Sequence, residues 1–186
     1  MVEGEVIKEN QIAVQTYGLE LVFSLIFTVV ILLIVALITN MPYEIIWAVI
    51  PFSLLRSFSG GWHANSHFKC ISLFVMMIVL ELILVSSVFG KLLMQESIIT
   101  TLAGVACVAV FTFAPVESPT KPISLQNLKK YQLISRIVVI AILGSSLLAY
   151  YFGFSLLGIL GVLSVTMQSL TLIPQTLSKD ISITEE

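Results

Sequence analysis

The sequence predicts an all-α, polytopic integral membrane protein of about six hydrophobic helices, preceded by an N-terminal interfacial helix. Three observations predict it. Of 186 residues, 58% are hydrophobic and only 11% charged, against roughly 25% charged in a soluble domain; mean hydropathy is +1.05. The apolar residues fall in runs, most of them near the roughly 20 residues that cross a bilayer as a helix. The basic residues gather on alternate connections between those runs. The net charge of −2 gives nucleic-acid binding no electrostatic support.

The elements follow in order. In residues 1–17, Val2, Val6, Ala13 and Tyr17 form an apolar stripe with Glu5, Lys8 and Glu9 facing outward, the pattern of a helix lying at a membrane surface. The start, MVEGEVIKENQ, is acidic and lacks a short apolar core with a cleavage site, so it does not read as a signal peptide. Residues 18–38 are the first span, and Asn40-Met41-Pro42 breaks it from the next. The second run, 42–55, is short, and reads as a thin or tilted span or a re-entrant piece. Runs at 68–89, 97–114, 131–152 and 154–173 complete the set, so five of the six are long enough to cross. Gly60-Gly61, the Pro115, Pro119, Pro122 series, Gly153 and Pro174 punctuate them. The chain reads as one domain over 1–186, with a polar segment at 56–70 and a second polar loop at 115–130.

The charges set the orientation. With all six runs crossing, Lys8, Arg56, Lys69, Lys121, Lys129, Lys130 and Lys179 share one side, and Lys91 alone has the other. The richer side is expected to be cytoplasmic, with both termini and the 56–70 segment on it, in a bacterial cytoplasmic membrane. Arg136, a turn or two into its run, snorkels to the same side. A re-entrant second run would require a second failed crossing to keep this bias.

Polar chemistry concentrates at 56–70, RSFSGGWHANSHFKC, which holds both histidines and one of two cysteines. Two cysteines make no disulfide framework. Gly60-Gly61 ends a helix and lets another backbone approach closely. Asn65 and Ser66 are good N-cap residues. A helix starting there puts Cys70 in its first turn, near the positive charge of Lys69 and Arg56, the surroundings of a reactive thiol. Cys107, inside an apolar run, reads as packing. A cysteine nucleophile needs a histidine base within reach. His67 shares a helical face with Cys70, whereas His63 serves only if the chain bends between them. The spacing of His63, His67 and Cys70 equally suits a zinc site, and histidines at a membrane surface also occur without any catalytic role. Of the acids, Glu20 reads as interfacial. Glu81, in the middle of its run, reads first as hydrogen-bonded packing between helices, with Gln168 a candidate partner and peptide passage a second possibility. That second possibility belongs to a non-catalytic exporter.

The pattern R-x3-G-G-x-H-x6-C, here Arg56, Gly60, Gly61, His63 and Cys70, resembles the signature of the accessory gene regulator B (AgrB) family of membrane peptidases. The block Ala114-Pro-Val-Glu-Ser-Pro-Thr-Lys-Pro122 resembles that family's loop after the fourth hydrophobic segment, and Ser72 fits a small polar position after the cysteine. The resemblance runs over essentially the whole chain. It implies a cysteine-type endopeptidase acting on a small quorum-sensing precursor, an AgrD-like peptide, and needing no cofactor or metal. It makes His63 the base and Cys70 the nucleophile, leaves His67 aside, and requires a bend near Asn65. It also implies a homodimer. Substrate or oxyanion contacts are expected from Arg56, Gly60, Gly61, Glu117, Lys121, Lys129 and Lys130.

Overall fold

Each break read from the sequence among the described residues becomes a helix end. The computed structural model describes residues 2–61, 67–116 and 125–173. These form α1 (Val2–Thr39), α2 (Pro42–Ser59), α3 (His67–Ser86), α4 (Val88–Leu93), α5 (Glu96–Phe113), α6 (Leu125–Tyr151) and α7 (Ser155–Leu170). Asn40 stops α1 by taking a left-handed φ of 56°, which asparagine tolerates better than most residues. Pro42 then occupies the start of α2, where its missing N–H costs nothing. At the α6–α7 turn Gly153 takes φ 94°. Its N–H donates to Tyr150 O and that of Phe154 to Ala149 O, the paired bonds of a glycine-terminated helix. The run expected at 68–89 divides at Ser87, where α4 turns off. There Gly90 lies so close that a Cβ would meet the Val85 carbonyl oxygen at 2.1 Å.

Residues 2–17 are helical, and no break separates them from the first span. α1 is therefore one rod of 38 residues, roughly 57 Å at 1.5 Å per residue. That exceeds the roughly 30 Å of a hydrocarbon core, so the rod extends beyond the bilayer.

The helices alternate in direction. At one end lie the Asn40 turn, α4 with Lys91, and the Gly153 turn; the Tyr150 hydroxyl donates to the Met94 carbonyl and joins two of these corners. At the other end Gly60 pairs with Val116, Gln168 reaches Gly60, and the rings of Phe27 and Phe68 lie 6.5 Å apart. Helix α2 connects the two ends, so the short second run passes through the bundle rather than folding back. Arg56, Lys69, Lys129, Lys130 and Arg136 belong to the second end.

Four stretches are long and apolar enough to cross a membrane: Gly18–Thr39, Phe68–Ser86, Glu96–Phe113 and Leu128–Tyr151. The sixth run falls short of the five expected spans because α7 has 16 residues. It stops where the chain turns at Thr171 and Leu172, whose N–H groups donate to Gln168 O and Ser169 O. Its shortness goes with its position. α7 packs against α2, α3, α5 and α6, and every residue from Gly158 to Val165 is buried. A helix apolar on all sides belongs at the centre of such a bundle. Gly158 and Gly161 allow it to press on α6: a Cβ at 161 would stand 2.1 Å from Ser146 Oγ. α1 instead lies on the outside against α3 and α2, with Phe23, Leu33 and Leu37 exposed, as suits a lipid-facing helix.

Glu81 is fully buried between α3 and α7. Ser164 Oγ donates to its Oε2 at 2.7 Å. Gln168, the partner suggested by the sequence, does not fill that place. It stands one turn further along α7 and its amide nitrogen is engaged at the end of the bundle.

Candidate active site

The site is built where α2 ends. Gly60 N–H donates to Arg56 O at 3.1 Å and closes the last turn. Gly60 then takes φ 71° and ψ −146°, a region open essentially to glycine alone. Here the stretch after α5 comes alongside. Val116 N–H donates to Ser59 O at 2.9 Å, and Gly60 and Val116 form an isolated parallel bridge. A Cβ on Gly60 would lie 2.2 Å from the Val116 carbonyl oxygen. Gly61, at φ 138°, is as constrained from the other side. A Cβ there would lie 2.7 Å from Thr171 Oγ1 and 3.3 Å from Gln168 Nε2. The close approach that the glycine pair permits is thus made twice, once by the chain after α5 and once by the end of α7.

Gln168 fastens the junction. Its Nε2 donates to Gly60 O at 2.7 Å and to Ser59 Oγ at 3.2 Å, and the side chain is fully buried. The end of α5 is held as well. Arg136 Nη2 donates to Phe111 O at 3.3 Å, with its guanidinium carbon 5.2 Å from the Phe111 ring centre. A cation on a last-turn carbonyl suits the negative end of a helix. Arg136 therefore does more than reach for the membrane surface.

Cys70 lies in the first turn of α3, half-buried. Arg56, on the last turn of α2, points its Nη2 at Cys70 Sγ at 3.8 Å. The guanidinium carbon sits 5.9 Å from the Phe52 ring centre, and Phe52 packs on Phe74 with centroids 5.2 Å apart. A cleft of about 30 Å³ opens between Arg56, Cys70, Phe74 and Thr171, room for about one water. Thr171 is a shared wall. It borders this cleft and also stands against Gly61.

The structure thus brings Arg56, Gly60, Gly61 and Cys70 to one end of the bundle. Lys129 and Lys130 are exposed. They lie inside α6, which begins at Leu125, so the helix takes over the last part of the loop expected at 115–130. His63, Glu117 and Lys121 lie outside the described residues, as does the bend expected at Asn65-Ser66. His67 is the first residue of α3. Sequence reasoning missed Thr171, Ser59 and Val116, and assigned Gln168 to the wrong partner. The available signal was a lone glutamine in an otherwise apolar run.

The family model for Accessory gene regulator B matches residues 2–172. A protein named "Putative AgrB-like protein 2", from Clostridium perfringens (strain 13 / Type A), is 30% identical over 119 residues, or 61% of this chain and 55% of its own length. "Putative AgrB-like protein", from Clostridium perfringens (strain SM101 / Type A), is 31% identical over 119 residues with the same coverage. The chain therefore spans about half the length of the curated relatives it matches. No solved structure matches.

Proposed function

The chain belongs to the accessory gene regulator B family, and on that premise we propose that it is a membrane-embedded cysteine endopeptidase. It removes the C-terminal tail of a small AgrD-like quorum-sensing precursor and promotes closure of the remaining peptide into a ring. The observation that carries this reading is the placement of Cys70. It sits at the start of α3, faced by the Arg56 guanidinium at 3.8 Å. A charged donor aimed at the sulfur stabilises negative charge there, and backbone N–H groups at the start of a helix have no acceptor within it.

The mechanism uses this chain's own groups. His63 takes the proton of the Cys70 thiol, and the sulfur attacks a backbone carbonyl carbon of the precursor. The peptide C–N bond breaks. His63 returns the proton to the leaving amine, and the tail departs. A thioester to Cys70 remains. A cysteine or serine side chain of the peptide then attacks that carbonyl, and its proton passes through His63 back to the Cys70 sulfur. The product is a cyclic thiolactone or lactone, and the enzyme is restored. Because Gly60 N–H is bonded to Arg56 O, the oxyanion role expected of the glycine pair passes to Gly61 N–H, with the first-turn amides of α3 beside it. Arg56 is placed to bind the oxyanion or a substrate carboxylate. Glu117, Lys121, Lys129 and Lys130 belong to the same reading as contacts for the precursor. The protein works as a homodimer in the bacterial cytoplasmic membrane, with both termini and the catalytic end facing the cytoplasm.

The test is cleavage of a synthetic precursor by the full chain in vesicles, followed by mass spectrometry. The wild-type protein should release the tail and the ring. Cys70→Ala, His63→Ala and iodoacetamide treatment should each abolish release, and a zinc chelator should change nothing. Cleavage by Cys70→Ala, or loss to chelator restored by zinc, would overturn the proposal.

A further inference from the structure

A glutamine side chain inside an apolar bundle is costly unless its groups are paired, yet Gln168 takes no part in the chemistry above. It stands at the last full turn of α7 and is fully buried. Its partner is a backbone carbonyl in another element, Gly60 O at 2.7 Å. A carbonyl only accepts, so the amide nitrogen must face it. The amide oxygen is buried and has no partner among the described residues. This bond adds little to the packing of α7, which is already surrounded by apolar neighbours. It fixes a peptide group at the exit of α2, one residue before Gly61 and three before His63.

That peptide is held from three directions. Gly60 N–H is tied to Arg56 O, and Val116 N–H is tied to Ser59 O. The third bond comes from Gln168. The first two fix the position of the peptide. A bond to the carbonyl oxygen resists its rotation, and rotation of that peptide would swing everything that follows. Thr171, one turn beyond Gln168, borders both Gly61 and the Cys70 cleft, so the end of α7 touches the exit of α2 and the nucleophile's surroundings together.

We propose that Gln168 is a positioning residue for the peptidase: through the Gly60 carbonyl it sets the direction in which the chain leaves the glycine pair, and so where His63 stands relative to Cys70. The inference rests on the cysteine-peptidase reading above.

The test uses the full chain in vesicles with two readouts: the kcat and KM of precursor cleavage, and the pH profile of Cys70 alkylation by iodoacetamide, followed by the mass of the Cys70 peptide. Gln168→Met keeps length and removes the donor. It should lower kcat about 100-fold, the scale of a 1 Å misplacement, leave KM within about twofold, and move the alkylation profile to that of His63→Ala. Ser146→Ala, buried near the far end of α6, should keep wild-type kcat and profile. A wild-type kcat and profile in Gln168→Met overturns the inference. If Gln168→Met instead gives the profile of the urea-denatured chain, Gln168→Asn decides, because it keeps the amide one methylene short. A lowered kcat with a profile shifted toward that of His63→Ala supports the inference, and wild-type values overturn it. Cleavage by Cys70→Ala, or full activity in His63→Ala, overturns the peptidase reading itself and is seen without any Gln168 variant.

Discussion

Replacing Gly60 by alanine tests the site at its tightest point. Two costs can be worked out. The backbone at φ 71° and ψ −146° is strained for any residue with a Cβ, by about 1–3 kcal/mol. The Cβ would also stand 2.2 Å from Val116 O, a backbone atom, when ordinary contact begins at 3.4 Å. The chain after α5 and the exit of α2 must then separate by about 1 Å, a displacement that costs on the order of 100-fold in rate when it reaches reacting groups. Separation weakens the bond from Val116 N–H to Ser59 O and the bond from Gln168 to Gly60 O, at about 1 kcal/mol each. The total is about 3–5 kcal/mol, a large share of the stability of an ordinary domain. Gly144→Ala is the control. Nothing lies within 4 Å of its Cβ position, it is inside α6, and alanine there should stabilise by about 0.5–1 kcal/mol. Thermal unfolding in detergent and precursor cleavage are measured on both. Gly60→Ala should melt below the parent and lose cleavage, and Gly144→Ala should melt at or above it with cleavage intact. Equal melting and equal activity of the two variants would refute the steric account of the glycine pair.

Two further outcomes test the packing of α7. Ser164→Ala removes the hydroxyl bonded to Glu81 Oε2 at 2.7 Å and leaves a buried carboxyl without that partner, so it should cost about 1–3 kcal/mol in detergent melting; Glu81→Gln, which still accepts from Ser164, should cost less. Gly161→Ala brings a Cβ to 2.1 Å from Ser146 Oγ and should destabilise by about 1–3 kcal/mol. In a Ser146→Ala background the same change should cost less, and an identical cost in both backgrounds would refute the contact.

The sequence announced the spans because an unbroken apolar run of about 20 residues matches the thickness of a hydrocarbon core. It announced the turns because Asn40, Gly60 and Gly153 are residue types that relieve backbone strain. It also placed Cys70 in a first turn near Arg56, since both assignments depend only on local chain punctuation. What it did not announce depends on three dimensions. Nothing local to α7 says that it is the central helix, because a buried helix and a lipid-facing one are equally apolar. Gln168 was linked to Glu81 on the ground that both were polar and in spans. The helix register decides otherwise, setting Ser164 against Glu81 and turning Gln168 to the end of the bundle. Arg136 looked like a surface anchor for the same reason. Its contact with Phe111 joins residues far apart in the chain.

The glycine pair shows how an apolar bundle holds a polar site in place. A bilayer offers little hydrophobic drive between helices, so their association relies on close packing and hydrogen bonds. Here both devices meet at one junction. Gly60 gives the Val116 backbone room to pair with the end of α2. Gly61 gives Thr171 and Gln168 room on the opposite side, and the Gln168 amide fastens to the Gly60 carbonyl. Both glycines have backbone angles that side chains resist, and both stand where a side chain would strike a neighbouring element. Freedom of motion is therefore the wrong account of this pair. Three bonds and two close contacts make it a fixed point, and the segment that carries His63 leaves from that point within a few residues of Arg56, which faces Cys70.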